Sequence, residues 1–140
     1  EATPAVRFCL AHSCRFDRAC LDRVAELPNT WFDCSAHRIH CECATKGFPN
    51  IAPSERRFAA DYTNPAAVLL ALAEAYPTKL MWGSDTPFQS YVDNQMSLRS
   101  TYAEETDCLE VLPPELHRAV TCDNLLNLLQ LKDENPLALG

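Results

Sequence analysis

Glycine is almost missing from this chain, with 3 in 140 residues. That excludes a collagen-like repeat and an architecture of glycine linkers. Long hydrophobic runs are missing too. The longest uninterrupted apolar stretch, Ala66 to Ala73, falls far short of the roughly 20 residues a membrane helix needs. Positive charge is in deficit: 12 basic side chains face 19 acidic ones, for a net charge of −7. An acidic surface repels phosphate backbones, and no basic stripe interleaved with aromatics occurs, so nucleic acid is not an expected partner. The N-terminus lacks the cationic stretch and apolar run of a secretion signal. It begins at Glu1 rather than Met, which reads as a processed chain or a piece of a longer reading frame.

What is present suits one packed domain. Hydrophobic residues make up 47% of the chain, enough for a core and too many for a wholly disordered segment. There are eight cysteines. Several fall inside apparent strands and helices, where a free thiol behaves as a small buried hydrophobe. Without a secretion signal, reduced thiols and a cytoplasmic location are the expectation, although an even number also permits a disulfide framework.

Strand and helix patterns alternate. Val6 to Ala11 is a short, nearly continuous apolar run, as expected of a strand buried on both faces. Cys20, Leu21, Val24 and Leu27 then fall at helical spacing within Phe16 to Leu27, and Pro28-Asn29 stops that helix. Thr30 to Cys34 reads as a second strand rich in aromatics. Residues 35 to 63 lose the rhythm and read mostly as loop, with a short helix after Pro53-Ser54. Asn64-Pro65 is a capping residue followed by a first-turn proline. It opens a helix whose buried stripe is Val68, Leu69, Leu72 and Ala75. Lys79 to Gly83 is a third strand. Helices are expected over Val92 to Glu105, from Pro113-Pro114-Glu115, and over Asp123 to Leu131, with residues 132 to 140 as a tail after a domain spanning 1 to 131.

Strands alternating with helices predict an α/β fold with parallel strands and right-handed crossovers. Ligand sites in such folds lie at the C-terminal ends of the strands. Each end here is polar: His12-Ser13-Cys14-Arg15, then Asp33-Cys34-Ser35-Ala36-His37, then Ser84-Asp85-Thr86. A histidine and an aspartate on neighbouring strand ends can share a metal ion or act as an acid/base pair. The plain alternatives are a strand-ending histidine bonded to backbone and a turn aspartate ahead of Pro87. A second cluster, His37, His40, Cys41 and Cys43, offers zinc-compatible ligands within seven residues. It defines the competing expectation, a non-catalytic metal- or thiol-binding module centred on residues 37 to 43. A Cys41–Cys43 disulfide would close too short a loop. Cys14 near His12, or Cys34 near His37, could be an activated thiolate, though neither sits in a known signature.

Four stretches together carry a resemblance. Lys79-Leu80-Met81-Trp82-Gly83-Ser84-Asp85-Thr86-Pro87 resembles the eighth-strand signature of the amidohydrolase-related family of metal-dependent TIM-barrel enzymes. Asn29 to Ala36 resembles the seventh strand, and Phe8-Cys9-Leu10-Ala11-His12 the sixth, which ends in histidine. Leu116 to Leu126, with Cys122-Asp123-Asn124, resembles the closing helix. The resemblance implies that the chain is the C-terminal part, about strands six to eight, of a (β/α)8 TIM barrel. It implies hydrolysis of a C–N or C–O bond, or non-oxidative decarboxylation, of a small-molecule substrate by metal-activated water. Asp85 would bind a divalent metal, Zn being the first choice, and act as general base. His12 would bind a metal or polarise the substrate. Arg15, His37 and Arg38 are placed as substrate contacts. The family's first-strand His-x-His pair and fifth-strand histidine have no counterpart here. The chain alone is therefore expected to be inactive, and its strand edges to favour homo-oligomers. Several members of that family carry glycine soon after the sixth-strand histidine, where this chain has Ser13-Cys14-Arg15.

Overall fold

A computed structural model describes residues 6–86 and 98–131. Three parallel strands form one sheet in chain order, β1 (Phe8–Leu10), β2 (Thr30–Asp33) and β3 (Leu80–Met81). Phe8 pairs with Thr30, and Phe32 with Leu80. The crossover from β1 to β2 runs through α1 (Arg18–Glu26), and that from β2 to β3 through α2 (His37–Lys46) and α3 (Pro65–Ala75). Then follow α4 (Tyr102–Asp107), α5 (Pro114–Arg118), a π-helical turn (Ala119–Asp123) and α6 (Asn124–Leu129). No helix among the described residues is long and apolar enough to cross a membrane. All eight cysteines are free.

The core forms where apolar residues from each crossover meet β2. Leu21 and Val24 of α1, Val68, Leu69, Leu72 and Ala73 of α3, Phe32 and Leu80 are all buried. In α3 the side chain of Asn64 accepts the backbone N–H of Ala67, with proline at the first helical position, so local chemistry starts this helix as expected. Its inward stripe ends on Ala73 rather than Ala75, which is exposed. The late part of the chain is tied to β3 by Asn124, whose side-chain amide donates to the carbonyls of Pro77 (2.9 Å) and Leu80 (2.7 Å). Arg7 donates to the carbonyl of Leu128 at 2.9 Å, bringing the start of the chain against α6.

Three expectations are corrected. β1 is not buried on both faces, because Phe8 is 45% exposed and Cys9 is exposed as well. Among the described residues the strand lies at the sheet's edge and pairs only with β2. Residues 37 to 46, read as loop, form a ten-residue helix. Its inward positions carry His37, Ile39, His40, Cys41, Cys43 and Ala44, so histidine and cysteine occupy places where the eye looks for leucine. Its start is not marked locally either. The residue before it, Ala36, has φ 54° and no capping side chain. Instead the buried Glu105 of α4 accepts the backbone N–H of Arg38 at 3.3 Å. Residues 98–100, expected as helix, are irregular, and α4 begins only at a capping box built by Thr101 and Glu104. The expected helix over residues 92 to 97 and the tail at 132 to 140 lie outside the described residues.

Candidate active site

The three strand ends converge as the parallel sheet requires. β1 ends at Leu10, and residues His12 to Phe16 then run through five consecutive positive-φ conformations, 59°, 49°, 51°, 55° and 61°. None is glycine, and each such residue costs about 1–2 kcal/mol relative to a right-handed conformation. A turn of this kind persists only when its surroundings fix it. Here the backbone N–H of His12 donates to Asp33 Oδ1 (3.1 Å), that of Ala52 to the carbonyl of Arg15 (3.0 Å), and that of Phe58 to the carbonyl of Phe16 (2.9 Å). The Phe16 ring is fully buried against Tyr62. Glycine adopts this conformation at far less cost than any of these five residues.

The turn delivers His12 to the end of β2. Its Nδ1 lies 3.0 Å from the carbonyl oxygen of Ser35, which can only accept, so Nδ1 carries the proton. The hydroxyl of Ser35 also lies 3.0 Å from that nitrogen and donates its own proton to Asp33 Oδ1. Asp33 Oδ1 further accepts the backbone N–H of Ser35 at 2.9 Å. Asp33 and Ser35 therefore set the His12 tautomer and leave its Nε2 with a lone pair, the form that binds a metal or accepts a substrate proton. β3 closes on the same point. A Cβ placed on Gly83 would come within 3.3 Å of the Ser35 Cβ, so the bare backbone allows the strand ends to meet. Asp85, two residues on, is half-buried with φ 60°.

Arg15 and His40 complete this face. The His40 ring stacks on His12, with centroids 4.5 Å apart and planes 20° off parallel. His40 Nδ1 lies 2.9 Å from the carbonyl of Ala36, and its Nε2 lies 2.6 Å from Arg15 Nη1. A guanidinium has only protons to offer, so His40 is the neutral Nδ1–H tautomer. Burial pushes its pKa down to about 4; the Ala36 carbonyl opposes this, and the nearby His12 and Arg15 add to it.

The other expected contacts lie elsewhere. His37, expected to touch substrate, is only 3% exposed and packs edge-on to Phe16. Its Nε2 donates to the carbonyl of Pro65 at 2.8 Å, its Nδ1 is buried without a partner, and burial pushes its pKa down to about 4. A ring enclosed in this way serves the core. Arg38 is half-buried, lies 3.9 Å from Glu104, and lines a pocket of about 270 Å³ with Lys46, Tyr62 and Arg99. That lining includes neither His12 nor Asp85.

The thiol readings receive no support. Burial raises the pKa of Cys14, Cys34, Cys41 and Cys43, the opposite of what a thiolate nucleophile requires. Cys9, exposed as a residue, has its sulfur 3.4 Å from Asp33 Oδ2, and its pKa is pushed up to about 12 by partial desolvation of the sulfur and by that carboxylate. Among the described residues, no group of three or more His, Cys, Asp and Glu is arranged to hold a metal ion. The second cluster therefore forms no such site, and His12 and Asp85 can supply only part of a coordination shell. Sequence position alone gives Asp33 and Ser35 no role, and it places His40 in the second cluster rather than beside Arg15. The signal for the first two was their place at a strand end beside His12.

A parallel α/β segment with its polar groups gathered at the strand ends defines an enzyme-like scaffold. The sequence profile of the amidohydrolase family matches residues 1–130, and the chain belongs to that family. No curated protein and no solved structure matches it.

Proposed function

We propose that this chain supplies the last part of a metal-dependent amidohydrolase-type barrel, strands six to eight with their helices. The complete enzyme hydrolyses a C–N or C–O bond, or decarboxylates a small acid. Family membership supports the reaction class. The chain-ordered parallel sheet, with Phe8 and Val6 exposed at its β1 edge, supports the barrel reading. The observation that carries the site is the tautomer of His12: Nδ1 is committed to Ser35, so Nε2 is left as donor to an ion. His12 and Asp85 would hold a divalent ion, with Zn the first choice, and other ligands would come from outside the described residues. When bound, such an ion brings the pKa of its water to about 7. Asp85 would accept the water's proton, and Arg15 would contact the substrate. Arg38 remains a candidate contact from its own pocket. His37 is left out because it is enclosed.

Titrating the chain with Zn²⁺ while observing its histidine ring nitrogens tests this reading. Nε2 of His12 is expected to respond first. His12→Ala and Asp85→Asn should each weaken binding about 10- to 100-fold. If both variants bind Zn²⁺ as tightly as the parent, or Cys43→Ser alone abolishes binding, the assignment is wrong.

A further inference from the structure

We propose that His40 is a positioning residue: it holds the guanidinium of Arg15 in one orientation beside His12, ready to receive a carboxylate of the substrate. The inference rests on the reading of Arg15 as a substrate contact and adds what aims it. Arg15 is exposed, and a solvated arginine normally samples many rotamers. Here its backbone is fixed in the left-handed turn by Ala52, and its Nη1 is fixed by His40 Nε2 at 2.6 Å. His40 is itself fixed twice, by the Ala36 carbonyl at 2.9 Å and by the stack on His12. Each link allows one polarity only: the carbonyl accepts, Nδ1 donates, Nε2 accepts and the guanidinium donates.

The partner left to Arg15 is also informative. Among the described residues it forms no ion pair with a carboxylate, while the arginines at 18, 23, 38, 56 and 118 each lie within 4.0 Å of one. A neutral imidazole takes one N–H of the fork and none of its charge. The remaining N–H groups keep the planar geometry that binds a carboxylate through two parallel hydrogen bonds. The His40 ring lies flat against His12, with centroids 4.5 Å apart, so one ring links the Arg15 guanidinium to the His12 imidazole. A fixed fork loses less rotamer freedom on binding than a mobile one.

The test uses the parent chain, His40→Phe, His40→Gln and His40→Ala, with benzoate as probe. Histidine ring ¹⁵N shifts give the His40 tautomer, ¹⁵N relaxation gives the order of the Arg15 side chain, and a benzoate titration read at Arg15 gives affinity. The parent should show the Nδ1–H tautomer and an ordered Arg15. Phenylalanine preserves the stack on His12 but cannot accept from Arg15. It should release the guanidinium and weaken benzoate about tenfold, with backbone shifts beyond the 12–16 turn unchanged. Glutamine can accept through its carbonyl and should recover most of the loss, whereas alanine should behave like phenylalanine. An Nε2–H tautomer in the parent, or an Arg15 equally ordered in the parent and in His40→Phe, overturns the proposal. An ordered, His40-dependent Arg15 that ignores benzoate upholds the positioning by His40 but rejects Arg15 as a carboxylate contact.

Discussion

Helix α3 and the turn after β1 are built by opposite means. In α3, Asn64 caps, Pro65 fixes the first turn, and Val68, Leu69 and Leu72 repeat at helical spacing. Every local preference agrees with the final structure. In the turn, His12 to Phe16 all adopt a conformation that their side chains disfavour. Long-range contacts with Asp33, Ala52 and Phe58 hold them there. The helix holds the domain together. The turn carries strain, and it presents His12 and Arg15. Local agreement marks scaffold, and local conflict held by tertiary contacts falls at the candidate site.

The largest expected effect lies on the scaffold side. Leu72 is fully buried, and Leu72→Ala should cost about 2–5 kcal/mol in denaturant unfolding, while the tautomer of His12 stays unchanged. A disturbed His12 in that variant would mean that the two regions are not separable.

Acid should act through the junction between them. His37 has its pKa lowered by burial to about 4 and donates to the first residue of α3. Its unfolded value is about 6.5, so between those values the unfolded chain binds a proton that the folded chain refuses. Stability is therefore full above pH 6.5 and falls as pH drops toward 4, by on the order of 3 kcal/mol from this group. His37→Gln should flatten that part of the stability–pH curve, measured by urea unfolding at stepped pH. An unchanged slope would place the acid sensitivity elsewhere.

The smallest effect should have the opposite sign. Ser13 has φ 49° and a buried hydroxyl without a partner. Ser13→Gly relieves both and should raise stability by about 1 kcal/mol, seen as a higher unfolding midpoint. A loss of stability would mean that the serine hydroxyl has a role in the fold.

The same contrast explains how much was legible. The parallel order, α1, α3, the three strand positions and the placing of His12 and Asp85 at strand ends followed from periodicity and punctuation. Helix α2 did not, because its inward face is written with His37, His40, Cys41 and Cys43. One signal was there to be read. Gly47, at φ 70°, closes α2 with the paired bonds of a Schellman motif, Gly47 N–H to Ala44 and Phe48 N–H to Cys43. β1 was misjudged for another reason: an apolar strand says that it wants cover and does not say which chain segment provides it. The Asp33–Ser35–His12 network was out of reach because sequence spacing does not encode which polar atoms meet across a sheet.

The carboxylate that caps α2 has a consequence in time. Glu105 and Arg38 lie 67 positions apart. A ribosome releases the body of α2 well before the group that satisfies its first turn. Until α4 emerges, α2 is a ten-residue helix without an N-terminal partner, shorter than the roughly 12–15 residues at which an isolated helix becomes marginal in water. His40 rides on that helix, so the grip on Arg15 should be among the last features to mature during synthesis.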